Sequence, residues 1–568
     1  MPIAPIRITN GPWTGCFQSW DVSPSPTQEL FTASNCVFRN TSAGLAAQIR
    51  PGFAKVTQLG TSSTQPLDTE GLSDLLTEAG VILTTDGVRT PQGLHEHIRL
   101  DGTYDPFLFV GGRMYRWNAD PVSPVFTDIT PLTTATIDTA SRIFCVTFAN
   151  KLIVTDGVNT PWQYDPATGA VALIQYDSIP SAWVAYGQPT IYGAKLFFIV
   201  KTIAGVSQRT SMVWSEENTP LVGYQQTNFA NYWTLVQTSG DQLVALVGTN
   251  GGLYYFRENS IGLISGLVNS TFRTTATQDA VSLTVGTTSP GSVLKEGNFI
   301  WFLDRMGRPF RLRIGGQPEP LWKQMQVDVD ASIAYGTYTT SQLERWGSAA
   351  WHQELGVVSF ACWSTILGSG LPAAAVYIFD DTSGSFGGSW SFAAGERGNA
   401  IACQGLLRDV NARQRFVILG GDVADLTDNG GAVWMHNLLA SGGGSYYLDN
   451  VTQLSSLIQS RMLSDDVSTE FIFDRLDVEL AGDAGQTAFG QVVTLSTGTQ
   501  RANTGAVQSL TTTTLRQGTG HAAFGLLERG RALRCTVQIA TTPNTRIPEG
   551  FNRLLVTAYP DADDPGIP

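Results

Sequence analysis

Leu152-Ile153-Val154-Thr155-Asp156-Gly157-Val158-Asn159-Thr160-Pro161-Trp162-Gln163-Tyr164 reads as an apolar strand, a tight turn and a second short strand. β-Branched residues run into Asp-Gly, which supplies the φ > 0 position of a turn, and Thr-Pro then stops ladder pairing. The same turn stands upstream as Thr85-Asp86-Gly87-Val88-Arg89-Thr90-Pro91, after Val81-Ile82-Leu83. Six of the seven turn positions are identical, from 85 to 155, an offset of 70 residues. Repetition of one supersecondary unit at such a spacing is the mark of a repeat architecture.

Looser versions of the unit follow. Leu253–Phe256 leads through Arg257-Glu258-Asn259-Ser260 into Ile261–Ile264. Phe299–Leu303 leads through Asp304–Arg308 into Pro309–Ile314, and Val376–Phe379 through Asp380–Gly388 into Ser389–Phe392. Phe107–Val110, Phe144–Phe148, Lys151–Thr155 and Phe416–Leu419 are further β-branched or aromatic runs bounded by turn residues. The chain therefore reads as all-β. Repeated strand–turn–strand units point to the blades of a β-propeller, which also hides strand edges; stacked β-sandwiches are the structural alternative. Helical periodicity is confined to Leu67–Glu78 and Leu454–Leu463.

The two ends differ in texture. Residues 1–60 are expected to form an N-terminal arm or platform of strands, 61–450 the propeller with insertions, and 451–568 a C-terminal β-rich, sandwich-like domain. Glu528–Val537 alternates like one half-buried strand, and Pro560–Pro568 reads as a flexible acidic tail.

Composition narrows the function. With 568 residues and 42% apolar content, the chain has the material for a large core. Gly and Pro number 59 and 27, which predicts many turns. Only 15% of residues are charged and the net charge is −13, which excludes an electrostatic nucleic-acid binder. A low charge density also suits a surface that ends up against other protein. Met1–Arg7 lacks the order of a signal peptide, and no run approaches eighteen apolar residues; the expectation is synthesis and folding in a cytoplasm, without a membrane span. Six cysteines without C-x-x-C spacing read as buried reduced thiols.

Chemistry is sparse. His95-Glu96-His97 lacks the i, i+4 spacing by which a helix holds zinc and reads as an exposed loop or strand. Asp422, Asp425 and Asp428 lack the spacing of a calcium loop and read as a solvated turn. Asp380-Asp381 and Asp465-Asp466 point to opposite faces if they lie on strands. Trp214, Trp233, Trp301, Trp322, Trp351 and Trp390 read as core aromatics. No nucleophile elbow, phosphate loop or dinucleotide fingerprint occurs. The expectation is no enzyme, no catalytic, cofactor-binding or metal residue, and no cofactor.

Several phrases, in order, resemble β-propeller virion proteins of tailed bacteriophages. They are Asn35–Arg39 with Arg50-Pro51-Gly52-Phe53, Phe148–Asp165, Val213–Asn218 with Tyr232-Trp233, Ala245–Ile261, Phe299–Gly307 and Gly530–Arg534. Together they span roughly residues 30–560, and the family they most resemble is the tail nozzle of short-tailed phages, or tail tubular protein B. That resemblance implies a structural virion protein in the tail, present in the host cytoplasm during assembly. It implies a hexameric ring below the portal, with the tail adaptor (the head-to-tail connector) and tail fibres or a tail needle as partners. Double-stranded DNA would be retained and ejected through the ring without sequence-specific binding. The rival expectation is a tail-tip host-recognition propeller that binds or depolymerises carbohydrate.

Overall fold

The computed structural model describes residues 6–10, 15–16, 29–34, 36–41, 44–49, 53–58, 68–69, 73–74, 91–120, 124–131, 135–139, 141–174, 183–207, 209–218, 231–235, 240–266, 268, 272–325, 344, 347–361, 375–391, 401–420, 432–436, 448–449, 452–453, 455–460, 463, 470–481, 492–500, 507–509, 513–516, 521–540 and 550–560. The fold is all-β. Its recurring element is a four-stranded antiparallel meander, first seen in Pro91–Ile98, Tyr104–Val110, Arg113–Trp117 and Phe126–Asp128 (sheet 1).

Six more such units follow, each identified by its first and last strands. They run from Phe144–Phe148 to Val171–Leu173 (sheet 2), Trp183–Tyr192 to Tyr232–Thr234 (sheet 3), and Leu243–Thr249 to Thr277–Ser282 (sheet 4). Leu294–Glu296 to Pro318–Pro320 is sheet 5, and Ser348–His352 to Phe386–Ser391 is sheet 6. Sheet 7 takes Ile401–Arg408, Gln414–Gly420 and Ala432–His436 from late in the chain and its fourth strand, Phe53–Gln58, from near the start.

Side-chain alternation explains how these sheets stack. Successive residues of a strand face opposite ways, so a strand buried on both faces is apolar throughout. Phe107 and Phe109 pack with Cys145, Leu152 and Trp162 of sheet 2, whereas Leu108 and Val110 pack with Cys403, Leu407 and Val417 of sheet 7. In sheet 3, Leu196, Phe198 and Val200 join Phe148 and Ile153, while Phe197 and Ile199 join Leu243 and Leu253 of sheet 4. In sheet 5, Ile300 and Phe302 meet Tyr254 and Phe256, and Trp301 and Leu303 lie in the core of Val358, Phe360 and Phe379. Val376, Ile378 and Trp390 of sheet 6 meet Phe416 and Ile418 of sheet 7. The seven interfaces return to their starting point, so the sheets form a closed ring.

The first strand of each sheet is innermost, and glycines let these strands approach. A Cβ on Gly248 would lie 1.9 Å from the Ile191 carbonyl oxygen, and one on Gly93 2.6 Å from that of Ile143. Each pairs the first strand of one sheet with the first strand, or the residue just before it, of its neighbour.

A second body of sheet joins the two ends of the chain. Cys36–Thr41, Gly44–Ile49, Gly550–Pro560, Phe471–Ala481 and His521–Gly530 form one sheet, with Ile6–Asn10 paired to Gly550–Pro560. Gly15–Cys16, Glu29–Ser34, Ser455–Ser460, Ala532–Ala540 and Val492–Gln500 extend sheet 6 past its last strand. One core holds Leu30, Ile458, Leu533 and Val537 against Phe473, Val478 and Val556, the packing of a sandwich.

Three sequence expectations are corrected here. Leu454–Leu463 is not helical: Ser455–Ser460 pairs on both sides, with Glu29–Ser34 and Ala532–Ala540. Tertiary pairing has overridden a short periodic run, and along the strand Ile458 and Ser460 are buried while Leu457 and Gln459 are half-buried. Glu528–Val537 is two strands, because Gly530 ends one and Ala532 begins the next in the other sheet. Of Leu67–Glu78, the described residues Asp68–Thr69 and Ser73–Asp74 pair as short antiparallel strands. The tail 561–568, the loop of Asp422, Asp425 and Asp428, the pair Asp465-Asp466 and the first Asp-Gly turn at 85–90 lie outside the described residues.

Candidate functional site: charged side chains across the ring axis

The second Asp-Gly turn is where the sequence placed it. Asp156 Oδ1 accepts the N–H groups of Val158 (2.9 Å) and Asn159 (2.7 Å), and Gly157 takes φ +71°. Asp156 Oδ2 accepts from Asn159 Nδ2 at 2.6 Å and from the Asp138 N–H at 3.0 Å. This carboxylate is buried and locks the turn to the segment that leads into sheet 2. Lys201, near the end of the second strand of sheet 3, donates to the Gly157 carbonyl at 2.5 Å. Thr155 Oγ1 donates to the Gly187 carbonyl at 2.9 Å.

Beyond this turn, side chains from distant sheets converge. Arg142 lies just before the first strand of sheet 2. A Cβ on Gly291, in the short 3-10 turn Pro290–Ser292 that leads into sheet 5, would stand 3.0 Å from the Arg142 Cζ and Nη2 and 2.7 Å from the Gly347 carbonyl oxygen. Gly347 immediately precedes sheet 6, so Arg142 reaches across the ring. Tyr186 of sheet 3 does likewise, its hydroxyl donating to Glu344 Oε1. The Arg209 guanidinium covers the Tyr186 ring at 3.8 Å and pairs with Glu258 at 3.7 Å. Burial raises the Tyr186 phenol well above its usual range and also raises the Glu258 carboxyl, while it lowers the Arg142 guanidinium. Ser141, Arg142, Phe144, Asp156, Tyr186, Lys201, Pro290 and Glu344 line a cavity of about 290 Å³.

The histidine pair lies elsewhere, on the innermost strand of sheet 1. His95 Nε2 and His97 Nδ1 each lie 3.1 Å from Thr147 Oγ1 of sheet 2, so one hydroxyl bridges both rings. His97 is buried, which corrects the expectation of an exposed segment: residues i and i+2 share a face, and that face meets sheet 2. Burial, with His97 adjacent, lowers His95 to about 3. Glu96 points the other way and pairs with Arg408 at 3.1 Å.

Asp380 and Asp381 diverge. Asp380 Oδ1 accepts the Ser383 N–H at 2.6 Å, and Asp381 Oδ2 accepts the Trp351 indole N–H at 2.8 Å. Trp214, Trp301 and Trp390 are fully buried, while Trp233, Trp322 and Trp351 pack in part. Among the described residues, no group of three or more His, Cys, Asp or Glu side chains could hold a metal ion, and no helix is long and apolar enough to cross a membrane.

Sequence reasoning missed the axial residues. Arg142, Tyr186, Lys201 and Glu344 share no motif; only closure of the ring brings positions 142 to 344 together.

No protein-family model and no curated protein matches the chain. Solved structures similar to it include the extracellular domain of a hybrid two-component system from B. thetaiotaomicron, with 8% identity, a TM-score of 0.37 and coverage of 65% of this chain and 43% of that one. PorZ, a surface component of the type-IX secretion system of Porphyromonas gingivalis, gives 13% identity, a TM-score of 0.35 and coverage of 66% and 45%. The N-terminal domain of Nup159 gives 10% identity, a TM-score of 0.38 and coverage of 71% and 97%. The chain thus spans less than half the length of the first two, and all three similarities are weak.

Proposed function

We propose that the seven-sheet ring is a β-propeller and that the chain is a structural subunit of a phage tail nozzle. Copies of it would form a ring, hexameric in the family it resembles, attached below the adaptor and contacting tail fibres or a needle. The observation that carries this proposal is the order of the phage-like phrases along the chain. Phe148–Asp165 falls in sheet 2, Val213–Asn218 in sheet 3, Ala245–Ile261 in sheet 4 and Phe299–Gly307 in sheet 5, and Gly530–Arg534 turns the corner between the two sandwich sheets.

Physical features support the proposal. Side chains from sheets 2 and 3 meet the entrances of sheets 5 and 6 across the ring axis, so the inside of one chain's ring is no path for duplex DNA. A conduit must then lie between copies, with walls that pass a polyanion without holding it; a net charge of −13 suits that demand. Ile98, Leu100, Val125 and Val410 are exposed at hairpin ends of sheets 1 and 7, and the Val410 N–H donates to the Ala119 carbonyl at 2.7 Å between the two sheets. Exposed apolar side chains at one end of a ring suit contact with other protein.

Electron microscopy of the purified chain mixed with its adaptor tests the proposal. A closed ring of copies around an open lumen, neutral or acidic in its lining, is expected. A lumen ringed by arginines in contact with DNA, or a chain that stays monomeric beside its adaptor, contradicts it.

A further inference from the structure

We propose that the ring carries an acid-sensitive joint, the contact of sheets 1 and 2 across Thr147, where the two sheets part locally while the rest of the fold stays closed. This goes beyond the nozzle proposal and stands or falls separately from it.

One hydroxyl holds two imidazoles across this joint. His95 and His97 of sheet 1 both reach Thr147 Oγ1 of sheet 2, and in acid both rings would be charged donors to that one oxygen. His97 Nε2 is buried with no hydrogen-bond partner among the described residues, so parting of the sheets hydrates it and breaks no bond there. Nearer the hairpin ends, the Leu100 N–H donates to Asn150 Oδ1 at 3.1 Å.

The charges around the rings are already matched. Asp105, opposite His97 in the ladder of sheet 1, pairs with both Arg99 and Arg116. Asp165 of sheet 2 pairs with Lys151, and the Tyr164 phenol lies among these groups. On the other face of the strand, Glu96 pairs with Arg408 of sheet 7. Three cations thus meet two carboxylates on the histidine face, and a protonated imidazole gains no unengaged carboxylate there among the described residues. Burial lowers both histidines, His95 to about 3, even with Asp105 beside His97. Above pH 6.5 the closed and open joints are both neutral; below it the open joint takes up the proton and the closed one does not. For His95 alone, this multiplies the open population about 30-fold between pH 7.5 and 5.0.

Cys145 reports on the joint, because it shares a strand face with Thr147 and packs with Phe107 and Phe109 of sheet 1. The test is labelling of the full chain with a dipyridyl disulfide at pH 7.5 and 5.0. Each rate is divided into that of the same thiol in urea at the same pH, which cancels the reagent's own pH dependence. Protection of Cys145 is expected to fall about 30-fold at pH 5.0, and that of Cys535, in the sandwich core, far less. His95→Gln, which keeps a hydrogen-bonding end and does not titrate, should remove most of the fall. His352→Phe, where sheets 6 and 7 meet, should leave it in place. If His95→Gln fails to fold, the comparison of Cys145 with Cys535 in the parent chain decides. Equal protection of Cys145 at both pH values, a fall shared equally by Cys535, or a fall that His95→Gln leaves intact overturns the proposal.

Discussion

The indole Nε1 of Trp390 donates a 2.8 Å hydrogen bond to the backbone carbonyl of Cys36, across 354 residues of sequence. Trp390 belongs to sheet 6 and Cys36 to the sandwich, and both are buried. This bond ties the start of the chain to the ring at a place water does not reach. Trp390→Phe keeps most of the apolar surface and removes the donor. We expect a loss of about 1–3 kcal/mol in the urea unfolding free energy, the usual cost of breaking a buried hydrogen bond. An unchanged midpoint would deny the contact a structural role.

Acid should destabilise the fold through its buried histidines. Burial lowers His352, set between Trp390 and Phe416, to about 3, and His95 likewise. Between that value and the unfolded value near 6.5, the unfolded chain takes up the proton and the native chain does not. The stability is therefore complete above pH 6.5 and falls as pH drops, by about 1.4 kcal/mol per pH unit for a fully desolvated histidine. Urea unfolding at pH 7.5 and 5.0 checks this, and His352→Phe should flatten the dependence. Equal stability at both pH values would contradict it.

Two inner-strand glycines should respond differently to alanine. At Gly248 the new Cβ meets the Ile191 backbone at 1.9 Å, and a backbone carbonyl has nowhere to move. At Gly405 it meets Leu94 Cδ1 at 2.4 Å, the far end of a side chain that can turn. Gly248→Ala should cost about 3 kcal/mol or more and Gly405→Ala clearly less, given what overpacking a core costs. Thermal unfolding of the two variants compares them directly.

Cys36, Cys145, Cys403 and Cys535 are buried thiols that form no disulfide. Burial raises the thiols of Cys145, Cys403 and Cys535, to about 11 for Cys403 and about 12 for Cys535. Since the thiolate is the reactive form, these four should resist iodoacetamide in the native chain and label rapidly in urea. Peptide mapping after a timed pulse reads the difference.

The strands were legible in sequence wherever a short run was apolar on both faces. Phe107–Val110, Phe299–Leu303 and Phe416–Leu419 are buried between neighbouring sheets, so their composition carried the signal without any partner being known. Closure was not legible. Nothing in Phe53–Gln58 says that it completes the sheet of Ala432–His436, because main-chain pairing leaves little trace in side chains. The axial site was hidden for a related reason: Arg142 and Glu344 each look like an ordinary loop charge until the ring brings them together. The His95–His97 pair was visible, but its shared partner, Thr147, lies on another sheet.

The most direct test of the nozzle proposal is quantitative mass spectrometry of purified phage particles, with this chain's copy number scaled to that of the portal protein. A count of about half the portal number is the prediction, as a sixfold closed ring below the portal requires. Absence from the particle, or a count that follows the fibres or spikes, would contradict it.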